Sequence, residues 1–216
     1  MRVWAISDTH GRHRELEVPH YDLLIHAGDE ANDPNPYKNE RESLDFFDWF
    51  YDLPGHKVFV PGNHSIAIER GWVKPKVPCL IDSYIDIEGV GIYGSPWSPT
   101  FGNSRWVYHR ARGKMTDVWD TLPKCDVLVT HGPPLSILDL ARDINGKGLV
   151  HCGCRSLRSK VMEIKPKLMC FGHIHNDKDI WNSGIYINHG ITFVNASVVD
   201  NQLNLINNGF VVEVSC

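Results

Sequence analysis

Five short polar clusters carry residue types suited to divalent-metal chemistry: Asp8-Thr9-His10, Gly28-Asp29, Gly62-Asn63-His64, His131-Gly132 and Gly172-His173-Ile174-His175. They supply two carboxylates, one amide and several imidazoles but no thiolate. That donor mix suits borderline-to-hard ions, with manganese foremost and iron, zinc or cobalt as alternatives, and not a cysteine-ligated zinc. A single ion has no use for so many ligands. An aspartate can bridge two ions through its two oxygens, and a pair about 3.5–4 Å apart can hold a hydroxide and clamp both ends of a phosphoryl displacement. The chemistry this donor set invites is phosphoester hydrolysis.

Chance is a poor explanation of the set. Short motifs recur by accident, and Asp-x-His or Gly-Asp alone means little; Gly-Asn-His and Gly-His-x-His are each expected only about 0.06 times in a shuffled chain of this composition. Each cluster also follows an apolar run, at residues 3–7, 23–27, 58–60, 127–130 and 168–171, and such runs read as buried strands. In α/β proteins ligands collect beyond strand ends, where turns from different strands converge.

The elements between these runs complete the expectation. Helical patterns cover residues 42–51, where Leu44, Phe47 and Phe50 recur at spacing three, 115–122, and 155–164 with Leu157, Val161 and Ile164. A hairpin is predicted after Cys79, turning at Glu88-Gly89, and consecutive β segments at 185–187, 192–195, 203–206 and 210–214. Alternating strands and helices followed by hairpins imply an α/β fold with sheets of mixed direction flanked by helices. Loops 94–114 and 132–153 are too long to be mere connectors. The first carries Trp97, Trp106, Arg105, Arg110 and Arg112. It is expected to border a substrate pocket, Arg112 pairing with a phosphate oxygen and Trp97 or Trp106 stacking on a base.

With 216 residues, 42% of them hydrophobic, the chain is expected to form one domain over 1–216. Its net charge of −4 argues against general affinity for nucleic acid or anionic membrane. The first residues lack a signal-peptide pattern, and the longest uncharged run, 180–199, is broken by polar residues, so a cytoplasmic protein without a membrane span is expected. The six cysteines lack the density of a disulfide scaffold and are read as reduced. Among the 12 histidines, His26 reads as a satisfied buried residue, His13, His20, His56 and His109 as surface residues and His189 as a turn residue; His151, Cys152 and Cys154 lack zinc spacing.

In order along the chain, the five clusters resemble the motif set of the calcineurin-like metallophosphoesterases. Gly94-Ser95-Pro96-Trp97, Thr130-His131-Gly132-Pro133-Pro134, Lys165-Pro166-Lys167-Leu168 and Asn195-Ala196-Ser197 are similar to its metallophosphoesterase-domain-containing phosphodiesterase branch. The resemblance implies a mixed β-sandwich in four layers, αββα. It implies two divalent metal ions, one held by Asp8, His10, Asp29 and His175 and the other by Asp29, Asn63, His131 and His173, with Asp29 bridging. By the same resemblance Asn63 and His64 meet the phosphate, and His64 protonates the leaving oxygen. The family usually follows that histidine with an acid, where this chain has Ser65; a hydroxyl there can hydrogen-bond but brings no charge. The implied activity is hydrolysis of a small phosphodiester or nucleotide, such as a cyclic nucleotide. A phosphomonoesterase or protein phosphatase is the alternative, and a non-catalytic scaffold a more remote one.

Overall fold

Period-two alternation decides the first strand. In β1 (Arg2–Ile6) Val3 and Ala5 face one way and Trp4 and Ile6 the other, and all four are fully buried, as in a strand covered on both faces. A computed structural model describes residues 1–101, 106–143, 145–146 and 148–215. β1 pairs in parallel with β2 (Leu23–His26), which pairs in parallel with β3 (His56–Phe59); an antiparallel edge strand, β14 (Phe210–Glu213), completes the sheet. The second sheet runs in the order β12 (Gly184–Asn188), β13 (Ile191–Asn195), β11 (Leu168–Phe171), β8 (Val127–Thr130), β5 (Val90–Ser95) and β4 (Ser83–Ile87). Its four inner strands are parallel and its two edges antiparallel. Two short pairs lie outside the sheets: β6 (Ser98–Pro99) with β7 (His109–Arg110), and β9 (Leu140–Arg142) with β10 (Leu149–His151).

The sheets pack face to face through Val3, Ala5, Leu23, Ile25 and Val58 on one side and Val90, Ile92, Val127, Val129 and Cys170 on the other. Outside the first sheet, Trp4, Leu24 and Phe59 carry α1 (Pro36–Asp52) on Phe46, Phe47 and Phe50. Outside the second, Leu128, Met169 and Phe193 carry α3 (Met115–Trp119) and α4 (Arg155–Ile164) on Met115, Trp119, Leu157 and Val161. This is the four-layer mixed β-sandwich flanked by helices that the sequence implied.

Three local readings change. α1 begins at Pro36, six residues before the expected start, because Asn35 caps the amides of Tyr37 and Lys38 and proline fits the first turn. Its buried face uses Phe46 with Phe47 and Phe50, and Leu44 is 49% exposed. Residues 203–206 form no strand beyond the isolated bridge of Leu205 to Val199. One turn of helix, α2 (Ile66–Glu69), follows the Gly62-Asn63-His64 cluster without having been predicted.

A bridge between Ser7 and Ser197 joins the ends of β1 and β13, with Ser7 donating to Ala196 and Val198 donating to Ser7. The carboxyl ends of the two sheets therefore open onto one cleft. No helix among the described residues is long and apolar enough to cross a membrane.

Candidate metal centre

Four cluster residues have left-handed backbones: Asp8 at φ 54°, His10 at 42°, Asp29 at 61° and His173 at 69°. Non-glycine residues rarely adopt this region, and such strain persists only where surrounding structure enforces it. Here the enforcing contacts are backbone hydrogen bonds between turns, Asp8 N to Gly28 O at 2.8 Å, His10 N to Asp29 O at 3.1 Å and Gly172 N to His131 O at 2.9 Å. The glycines of the motifs are explained by close approach. A Cβ on Gly62 would stand 2.2 Å from Asp29 Oδ1, and one on Gly172 would stand 2.0 Å from Asp8 Oδ2.

All seven expected ligands meet. Asp8, His10 and His175 form one group, Asp29, His131 and His173 another, and His10, Asp29 and His64 a third that joins them. Asp29 Oδ2 lies 3.9 Å from His10 Nε2 and 3.3 Å from His131 Nε2, so one carboxylate faces both halves. His131 Nε2 is also 2.9 Å from Asn63 Oδ1 and 3.1 Å from His173 Nδ1, and His175 Nε2 is 3.2 Å from Asp8 Oδ1.

The imidazoles are aimed by backbone carbonyls from the segment after β2. His131 donates through Nδ1–H to Ala27 O at 2.9 Å, His10 to Ala31 O at 3.0 Å and His64 to Asn32 O at 2.9 Å. A carbonyl only accepts, so each Nδ1 carries a proton and each Nε2 turns inward, the arrangement by which outer hydrogen bonds orient metal-ligating histidines. The carboxylates are fixed by hydrogen bonds too: Asp8 accepts from Ser197 Oγ at 2.6 Å and the His173 amide, and Asp29 from the His64 amide at 2.7 Å.

The electrostatics call for a cation. Burial pushes both carboxyls up, yet the neighbouring His175 holds Asp8 well below the usual carboxylate range, and His131 and His64 do the same for Asp29. Burial also opposes charge on His131, but Asp29 outweighs it and lifts that imidazole to about 9. His10, where burial prevails, falls to about 4. Among the described residues no lysine or arginine pairs with Asp8 or Asp29, so histidine protons alone offset two buried anions. Carboxylate oxygens and imidazole nitrogens converging on a common space, with no lysine or arginine paired to them among the described residues, fit divalent ions of the manganese-to-zinc series.

His64 and Ser65 part company. The Ser65 hydroxyl does not orient His64: it accepts from the Gly62 amide at 2.8 Å and donates to Glu30 Oε2 at 2.6 Å. Glu30, fully buried and also receiving Ser43 Oγ at 2.6 Å, is pushed by burial up to about 7. No sequence signal separated this acid from the neighbouring Asp29. The task of orienting His64 falls instead to Asn32, and Trp106 stacks on its ring with centroids 3.7 Å apart.

Two expected substrate contacts do not join the cluster. Trp97 donates its indole N–H to Asp82 at 2.7 Å and is covered by the Arg110 guanidinium at 4.2 Å. Arg112 spends its fork on the carbonyls of Gly153 at 3.1 Å and Cys152 at 2.8 Å, pinning one long loop to the other. It borders a cavity of about 730 Å³ beside α3 and α4 that none of the cluster ligands lines. Arg105 lies outside the described residues. Of two histidines expected at the surface, His13 is buried and His109 half-buried. His13 is 0% exposed and packs on Phe46. His109 lies against Phe101 and 6.4 Å from His173, its Nε2 buried without a partner among the described residues, and burial lowers it to about 4. His26 is satisfied as expected, accepting from the Gly28 amide and facing Thr9 Oγ1. His151 pairs with Asp139.

Comparison with known proteins agrees with this geometry. Residues 1–177 match the sequence profile described as calcineurin-like phosphoesterase. The chain is 30% identical to human metallophosphoesterase domain-containing protein 1 over 99% of its own length and 71% of the relative's. It is 32% identical to a UPF0046 protein of Caenorhabditis elegans, covering 94% and 77%. Among solved structures it resembles the phosphopantetheinyl hydrolase of Mycobacterium tuberculosis, with TM-score 0.58, 17% identity and coverage of 93% and 90%. It also resembles a Thermus thermophilus protein, TT1561, with TM-score 0.55 and 12% identity. At such identities the structural likeness concerns the fold.

Proposed function

The chain belongs to the calcineurin-like phosphoesterase family, whose members are metal-dependent phosphoric ester hydrolases, and from that premise we propose that it is a dinuclear phosphodiesterase acting on small phosphodiesters such as cyclic nucleotides. In this reading Asp8, His10, Asp29 and His175 hold one ion and Asp29, Asn63, His131 and His173 the other, manganese being the first choice. The observation that carries it is Asp29, whose Oδ2 faces His10 on one side and His131 on the other. Two divalent ions so placed supply Lewis-acid activation of a water and of the phosphoryl oxygens.

The chain's own residues account for the remaining work. The Asn63 amide, beside His131, directs a polar group at the phosphate. The Nδ1–H of His64 is committed to Asn32 O, which leaves Nε2 as the free nitrogen of the ring; from Nε2 the imidazolium form delivers a proton to the departing oxygen as general acid. Diesters are favoured over monoesters by charge. A diester carries one negative charge and a monoester nearly two, and the site supplies no basic side chain from Arg112, whose donors are occupied.

The test compares kcat/KM for bis-p-nitrophenyl phosphate and p-nitrophenyl phosphate on manganese-reconstituted protein, alongside 2′,3′-cyclic nucleotides. A diester-to-monoester ratio above one supports the reading. A ratio below one replaces it with a phosphomonoesterase.

A further inference from the structure

We propose that Trp106 is a positioning residue that fixes the plane of the His64 imidazole, so that proton delivery depends on a side chain that acts through His64. The inference rests on the reading of His64 as the proton donor.

A single hydrogen bond cannot fix a ring. The bond from His64 Nδ1 to Asn32 O, 2.9 Å, anchors one atom but leaves the imidazole free to tilt about that point, and a tilt swings Nε2 out of line with a leaving oxygen. Two ring contacts remove the freedom. Trp106 lies on the imidazole with centroids 3.7 Å apart and an interplanar angle of 26°, and His10 meets it edge-on at 4.7 Å and 76°. The imidazole is held between a face and an edge.

Backbone fixes the stack in turn. The residue after Trp106, Val107, donates its amide to the carbonyl of Asn63, the residue before His64, at 3.1 Å. The stacked pair therefore flanks a main-chain hydrogen bond that holds the two backbones beside each other. β6 and β7 hold the same segment at its base, with Ser98 donating to Tyr108 O at 3.0 Å. The indole face turned towards His64 is thereby closed to a nucleobase.

Leaving-group dependence tests the proposal. Diesters of one acid with p-nitrophenol and with phenol as leaving groups are compared in wild type, Trp106→Ala, Trp106→Phe, His64→Ala and the double variant His64→Ala/Trp106→Ala. Trp106→Ala is expected to lower kcat about 10-fold or more on the phenyl ester, which needs an acid, and far less on the p-nitrophenyl ester. Trp106→Phe should restore most of the loss, and the alanine substitution should cost nothing further once His64 is gone. In metal-free protein the His64 Cε1–H resonance should move downfield in Trp106→Ala as the indole ring current is lost, while metal content after reconstitution stays at the wild-type value. Equal losses on both esters, or an added loss in the His64→Ala background, overturn the proposal. If His64→Ala itself shows no leaving-group dependence, the fault lies with His64 as the donor, and the positioning role falls with it.

Discussion

Two regions supply the side chains around the cleft, and they are held in different ways. The strand-end turns at Asp8, Asp29, Asn63, His131 and His173 follow directly from buried strands, and inter-turn hydrogen bonds lock their backbones even in left-handed conformations. The described residues of the segment from Pro96 to Lys114 are held by the two-residue pair β6–β7, by single backbone bonds such as Val107 to Asn63, and by side-chain bonds. In the first region residue type and place in the chain together define a geometry. In the second, composition suggests roles that contacts then reassign: Trp97 to Asp82, Arg112 to the carbonyls of Cys152 and Gly153, Trp106 to His64. A chemically suitable residue is informative in proportion to how firmly its backbone is placed.

Substitutions can break this contrast or sharpen it. The largest effect is expected at His64, which stands at a strand-end turn but is not among the seven proposed ligands. His64→Ala should lower kcat by about 10²–10⁴ while leaving metal content unchanged, as steady-state kinetics with elemental analysis will show. Loss of metal together with rate would make His64 a ligand.

Next comes the rigidity of the turns themselves. Gly172→Ala places a methyl where Asp8 Oδ2 and Ser7 Oγ stand, 2.0 and 2.2 Å from the new carbon. Overpacking of this kind costs about 1–3 kcal/mol, measurable by urea denaturation of the metal-free protein. An unchanged midpoint would mean that these turns yield more readily than their hydrogen bonds indicate.

A smaller effect comes from His26, which burial depresses from 6.5 to about 3. Between those values the unfolded chain binds a proton that the folded chain does not, so His26 removes stability as pH falls below 6.5 and costs nothing above it. At pH 5.5 the penalty is on the order of 1 kcal/mol. The stability of metal-free wild type should therefore fall more steeply from pH 7 to 5.5 than that of His26→Gln. Parallel curves would show that His26 accepts a proton without cost.

The smallest effects belong to the loop. Trp97→Ala and Arg112→Ala should each change kcat/KM for a cyclic nucleotide by less than about 3-fold, in the range of substitutions away from a site's machinery. A loss of 100-fold at either position would return it to the substrate.

The same contrast accounts for what the sequence revealed. The layers were legible because continuous apolar runs such as residues 3–6 mark strands buried on both faces, and the cluster of candidate ligands was legible because its motifs follow such runs. The left-handed φ of Asp8, His10, Asp29 and His173 was not, because no local rule assigns that conformation to these residue types. Glu30 was passed over because an acid beside Asp29 carries no sign of being buried until Ser43 and Ser65 are seen to converge on it. His13 and His109 were misplaced because isolated histidines in short elements have no periodicity to report burial. The stack of Trp106 on His64 lies beside a hydrogen bond between residues 44 positions apart, from the Val107 amide to the Asn63 carbonyl, which sequence spacing does not encode.

The central claim is that Asp29 serves two ions at once, and metal stoichiometry tests it most directly. Wild type stripped with chelator and reconstituted with manganese should carry two ions per chain by elemental analysis. Asp29→Asn should weaken both sites together, because without the bridging charge two cations would face each other at close range. Wild type that never exceeds one ion, or Asp29→Asn that still fills two sites with unchanged affinity, would contradict the claim.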